Sequence, residues 1–94
     1  MITRTEHPHV EKVDGVLDGE PVIAGTRIPV RAVVEYWRMG VRPEEILTYY
    51  PSITLAQVFD ALSYYGDHPD EIQAHIAWNQ VAEDLIHPLV RDLP

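Results

Sequence analysis

Residues Gly19 to Val30, GEPVIAGTRIPV, constrain the fold of this chain more than any other stretch. Proline removes an amide donor and fixes φ, while glycine is the residue that tight backbone reversals use, so no helix or central strand runs through the segment. It reads as a corner that turns the chain from a β-biased region into a helix. Its structural residues are Gly19, Pro21, Gly25, Thr26 and Arg27, with the Thr26 hydroxyl suited to hold the turn by local hydrogen bonding. Arg27 has two readings: its planar fork clamps backbone carbonyls or a carboxylate, or it contacts a phosphate. A nucleotide-gripping loop fails on spacing, because the interval from Gly19 to Gly25 ends in Thr26-Arg27 where a Walker loop requires a lysine. A dinucleotide fold would also need a βαβ unit, for which the helical pattern that follows leaves no room.

On either side of this corner the periodicities differ. Asp14-Gly15 and Asp18-Gly19 are turn signals, and residues 10–28 are expected to form one or two short strands or a small hairpin. From Pro29, Val30, Val33, Val34 and Trp37 recur at helical spacing, Pro29 suits the first turn, and Gly40 ends the helix. A second short helix starts at Pro43, with Glu44 and Glu45 at its positive end and Ile46 and Leu47 inward, and Pro51 stops it. Thr54 opens a third, with Gln57 as its capping-box partner. The expected inward stripe is Leu55, Val58, Phe59 and Leu62, which leaves Gln57, Asp60, Ala61 and Tyr64 outward. Three such helices over residues 29–66 predict a tri-helical bundle of helix-turn-helix type.

A fourth helix is expected from Pro69 to about Ile86, with Pro88 beyond its end. Ala74, Ala77, Trp78, Val81, Ala82 and Leu85 make one apolar stripe, and Ile72, Ile76 and Ile86 a second. A helix apolar on two sides has two neighbours. One is the bundle; the other is either a partner chain or a further part of the same subunit. The expected organisation is one domain over residues 1–94: a β/turn element at 10–28, a tri-helical core at 29–66, and a C-terminal helix and tail at 67–94.

Charge narrows the function classes. Fifteen acids against seven bases give a net charge of −8, which disfavours indiscriminate binding to nucleic acid or anionic membrane. The four arginines Arg27, Arg31, Arg38 and Arg42 nevertheless cluster around a single acid, Glu35, and with Gln57 they are the candidate DNA contacts. The competing reading has Glu35 neutralising both Arg31 and Arg38 along the helix surface. The segment from Asp67 carries six acids and one base, and its apolar residues Ile76, Trp78, Val81 and Leu85 are the candidate partner contacts.

Chemistry of other kinds finds less support. There is no cysteine, hence no disulfide, thiol nucleophile or zinc finger. Ser52 and Ser63 have no neighbouring histidine pattern, and no catalytic residue is expected. Asp67, His68, Asp70, Glu71 and His75 offer metal-ligand atoms, but acids after Pro69 are what a helix start favours, so neither metal nor cofactor is expected. With no apolar N-terminal segment and no run of membrane-spanning length, the expected location is the cytoplasm.

Taken together, GEPVIAGTRIPV, MGVRPEEIL and YPSITLAQVFDALSYYGDHPDEI resemble the bacterial and archaeal family called domain of unknown function 433, over roughly residues 9–76. Gly19, Pro21, Ile23, Gly25, Thr26, Arg27 and Ile28 match its signature. Pro51, Thr54, Val58, Ala61, Leu62, Tyr64 and Tyr65 match its later part, and Arg42-Pro43 stands where a serine-led cap is more usual. The resemblance implies a homeodomain-like tri-helical fold behind a short β element, similar to the DNA-binding part of some antitoxins. It also implies partnership with PIN-type ribonuclease toxins and no catalytic residues. The resulting expectation is a homodimeric antitoxin-like protein, contacting operator DNA through its body and a toxin through its acidic C-terminal helix. The alternatives are an interaction module that binds no DNA, and a small metal-dependent enzyme using residues 67–75.

Overall fold

The computed structural model describes residues 1–91, of which 82–91 are described as helical backbone only. Three short strands, β1 (Ile2–Arg4), β2 (Val10–Val13) and β3 (Val22–Ile23), precede four helices: α1 (Val30–Arg38), α2 (Pro43–Tyr49), α3 (Leu55–Asp67) and α4 (Pro69–Arg91). The strands form an antiparallel sheet in the order β1-β2-β3, with Ile2 opposite Val13 and Val10 opposite Ile23. The β element therefore begins well before residue 10. Every residue of β1 is exposed, so the strand is held by ladder hydrogen bonds and leaves no alternation for a hydrophobic pattern to reveal.

The corner after β3 is built from its own sequence. The Thr26 hydroxyl donates to the Ile23 carbonyl at 2.8 Å and accepts from the Ile28 amide at 3.0 Å, while the Ile23 amide donates to the Ile28 carbonyl at 2.9 Å. Gly19 and Gly25 have φ of 79° and 78°, left-handed backbone that a side chain would strain. Pro29 stands in extended conformation as the cap before α1, one residue earlier than a first-turn position.

Local signals also set the helix ends. Beyond α1 the Gly40 amide donates to the Trp37 carbonyl and the Val41 amide to the Tyr36 carbonyl, the paired bonds of a Schellman close. The capping box at α3 is complete: the Gln57 amide donates to Thr54 Oγ1 at 3.2 Å, and the Thr54 amide donates to Gln57 Oε1 at 2.7 Å. At the other extreme, α4 continues through Pro88 to Arg91, past the expected end near Ile86. Proline costs a helix one amide bond, and here it does not end the helix.

The core gathers Val10 and Ile23 from the sheet, Val30, Val33 and Val34 from α1, Ile46 from α2, and Ile72 and Ile76 from α4. α3 lies at its centre but is turned relative to the expected stripe. Val58, Ala61 and Tyr64 are buried and Phe59 is half exposed, with α3 packed chiefly on α1 and His7 of the β1–β2 connection set edge-on against Tyr64. No helix among the described residues is long and apolar enough to cross a membrane.

One ion pair fixes α1 against the corner. Glu20 is buried, 5% exposed, and Arg31 Nε lies 3.1 and 3.3 Å from its two carboxylate oxygens. Arg31 thus pairs with Glu20 and not with Glu35. A buried carboxylate deprived of its cation loses about 3 kcal/mol or more. Arg31→Met is therefore expected to lower the urea-unfolding free energy by about 3 kcal/mol, whereas Arg27→Ala, an exposed site, leaves it unchanged within about 0.5 kcal/mol. Equal midpoints for Arg31→Met and the unmodified protein would remove this pair from the fold's supports.

Candidate functional site

Three features remain once the core is accounted for. The first is the outer face of α4. Ile72 and Ile76 fall on its inner side and pack into the core, so Ile76 acts within the subunit. Ala74, Ala77, Trp78 and Val81 lie on the opposite side, with Trp78 70% and Val81 52% exposed. The side chain of Leu85 lies outside the described residues. At 23 residues and about 1.5 Å per residue, α4 is roughly 35 Å long. Between α4 and the end of α1 runs an open groove of about 300 Å³, lined by Glu35, Arg38, Met39, Ile76, Asn79 and Gln80.

The second feature is the arginine zone, which the structure divides. Arg31 is consumed by Glu20 and only 16% exposed. Arg42 Nε bonds Glu45 Oε1 at 2.9 Å on the surface. Arg27 and Arg38 are exposed and make no hydrogen bond or ion pair with the described residues. Gln57 has its amide oxygen in the capping box. α3, the helix that a helix-turn-helix protein would lay in a DNA groove, contains no lysine or arginine.

The third feature is a polar cluster where the β1–β2 connection crosses the end of α3. His7, 8% exposed, places Nδ1 2.9 Å from Asp60 Oδ1 and Nε2 2.8 Å from Asp67 Oδ2. Asp60 Oδ2 also accepts the His9 amide at 2.8 Å, so one carboxylate holds both the imidazole and the backbone two residues later. Thr5 stitches the same connection, donating to the Val10 carbonyl and accepting from the His7 amide. Tyr64 meets His7 edge-on and stacks on His68, and it donates to Glu71 Oε1 at 2.5 Å. Lys12 closes the network on Glu71 Oε2 at 2.8 Å, and His68 Nε2 bonds Glu6 Oε1.

Sequence reasoning identified Asp67 and His68 as ligand-bearing but grouped them with His75, which points instead toward Glu20 at 3.9 Å. The partners that matter, Glu6 and His7, come from the opposite end of the sequence. No local spacing announces them, since His7 lies 53 and 60 residues from its two carboxylates. The one available signal was Asp60, an acid on a helix flank beside Val58, Ala61 and Tyr64.

Comparison with known proteins follows this architecture. The profile of the family described as "Protein of unknown function (DUF433)" matches residues 10–65. The crystal structure of a DUF433 member protein from Anabaena variabilis ATCC 29413 is 35% identical, with a TM-score of 0.69, over 73% of this chain and 68% of that one. No curated protein matches. The corner and Asp60 lie inside the matched region, whereas Glu6, His7, Asp67 and His68 flank it on both sides.

Burial by itself would depress the His7 imidazolium, but hydrogen bonds to Asp60 and Asp67 override it and hold the group above its ordinary value. Burial and the hydrogen bond to Glu71 push the Tyr64 hydroxyl up in the same network. A histidine raised in the folded state contributes stability that is complete below its unfolded value, about 6.5, and is lost as pH rises through the folded value. Glu6, Asp60, Asp67, Tyr64 and His68 are the groups that face it. In EDTA-containing buffer the urea midpoint is thus expected to fall as pH rises from about 6 to about 9, with His7→Gln flattening the slope. A fall of equal size in the variant would assign the titration to another group.

Proposed function

The chain belongs to the DUF433 family, and from that membership we propose that it is the antitoxin-like member of a prokaryotic toxin–antitoxin pair, neutralising a PIN-type ribonuclease. The observation that carries this reading is the outer face of α4. Trp78 and Val81 are large, apolar and exposed on a helix whose other side is already satisfied by the core. Exposed aromatic anchors inside a charged rim are what protein partners bury, and a few of them carry most of the affinity. Asp70 and Glu71 begin the helix and Glu83 and Asp84 follow Val81 in sequence, so its acids suit a surface made to hold RNA phosphates. In this reading the protein performs no catalytic step, self-associates through its helical body, and acts in the cytoplasm beside its partner.

Operator binding forms a second, subordinate part of the proposal. Of the four arginines in this zone, Arg27 and Arg38 are exposed and unpaired among the described residues and available to phosphate, with Arg42 beside them in sequence behind a surface ion pair. Arg31 and the Gln57 amide oxygen are engaged elsewhere, so such binding rests on phosphate contacts and shape with little direct base readout. Its affinity would fall steeply with salt.

Coexpression with the product of the adjacent gene tests the main reading. The two proteins are expected to copurify, the ribonuclease activity to disappear, and Trp78→Ala to weaken the complex by about tenfold or more without changing the circular dichroism spectrum. A neighbour that neither copurifies nor loses activity would sink the antitoxin role. Undiminished binding by Trp78→Ala would move the interface off α4.

A further inference from the structure

We propose that Glu6, His7 and Asp67 form a binding site for one divalent transition-metal ion of the zinc class, with Asp60 orienting His7. The inference is independent of the antitoxin reading. It starts from convergence: Glu6 Oε1, His7 Nε2 and Asp67 Oδ2 all lie within 4.8 Å of one another. His68 Nε2 contacts Glu6 Oε1 from outside that group. The donors come from two distant parts of the chain, the β1–β2 connection and the junction of α3 with α4, so the fold has assembled them and no single helix start explains the group.

The spacing suits a small tetrahedral ion. With metal–nitrogen and metal–oxygen bonds of about 2.0–2.2 Å, tetrahedral donors stand roughly 3.3–3.5 Å apart. His7 Nε2 is 2.8 Å from Asp67 Oδ2 and 3.9 Å from Glu6 Oε1, distances on either side of that value. Glu6 and Asp67 are 57% and 61% exposed, so their carboxylates have room to make the remaining adjustment.

His7 is prepared as a ligand. Its ring is buried and Nδ1 is held on Asp60 Oδ1 at 2.9 Å, while Asp60 is itself fixed by the His9 amide. A carboxylate on the remote ring nitrogen is the arrangement that selects the tautomer and aims Nε2 at a metal. Nε2 then points at two carboxylates and away from the core. Without metal, a proton on Nε2 satisfies the same atoms; on binding, that proton leaves to solvent and the nitrogen lone pair goes to the ion.

The donor set selects the class of cation. One imidazole and two carboxylates, with solvent in the fourth position, suit zinc and its first-row neighbours, whereas calcium and magnesium require more oxygen ligands. Two ligand carboxylates balance the charge of a divalent ion. Lys12 is turned to Glu71 at 2.8 Å and so does not fill the site, and Arg4, which lines the cavity beside Glu6 and His7, makes no ion pair with either ligand carboxylate. An ion held here would join the sheet to the base of α4.

Calorimetric titration of the full-length, tag-free, EDTA-stripped protein with zinc chloride tests the site. We expect one saturable equivalent with micromolar or tighter affinity, a higher melting temperature with zinc, and no saturation by magnesium. Glu6→Gln and Asp67→Asn, both at exposed positions, should each weaken zinc binding by about tenfold or more while leaving the protein folded without metal by circular dichroism. Substituted cobalt should show the intense visible bands of a tetrahedral site. Absence of a saturable heat overturns the proposal, as does zinc binding that both variants retain at full strength.

Discussion

A charge withdrawn from water must find its counter-charge inside the fold, and this small protein meets that constraint twice along the seam between sheet and helices. Glu20, at the start of the corner, is buried against Arg31 in the first turn of α1. His7, in the connection between β1 and β2, is buried against Asp60 on α3. Each pair joins a residue of the β region to a residue of a helix, and each is more directional than the apolar packing around it. The pairs therefore set the rotation of α1 and α3 under the sheet. No buried side-chain nitrogen or oxygen among the described residues is left without a partner, so the polar seam closes as completely as the core.

That constraint redistributes the charges seen in the sequence. Four arginines within one stretch suggest a continuous cationic surface, but of these four only Arg27 and Arg38 are exposed and make no pair with the described residues. Arg31 belongs to the interior. Asp60 likewise changes meaning: on a helical wheel it is an outward acid that would repel phosphate, while in the fold it is the acceptor around which the β1–β2 connection is wound. A charge reads as surface in a sequence because its partner is 11 residues away in one case and 53 in the other.

What was legible in the chain is what local physics decides. The Thr26 corner, the Thr54–Gln57 capping box, the Gly40 close and the valine stripe of α1 each rest on contacts within a few residues, and each has its expected place. The features that escaped depend on tertiary neighbours. β1 has no buried face to give it a pattern, and α3 turns Asp60 and Tyr64 toward His7, a neighbour from the far end of the chain. α4 passes the expected end near Ile86 and continues through Pro88 to Arg91. The polar cluster escaped for the same reason: Asp67 and His68 are conspicuous in the sequence, but Glu6 and His7 become their neighbours only when the sheet closes.

The position of that cluster links the two halves of the molecule. α4 offers Trp78 and Val81 to the outside from a helix anchored by Ile72 and Ile76, and the first residues of that helix follow directly on Asp67 and His68. Glu71, one turn into α4, is held by Tyr64 and by Lys12 of β2. The base of the exposed helix is thus gripped by sheet and α3 together through hydrogen bonds and ion pairs, while the corner and the apolar core lie behind it. Charge at this junction thus bears on how firmly α4 is seated on the body.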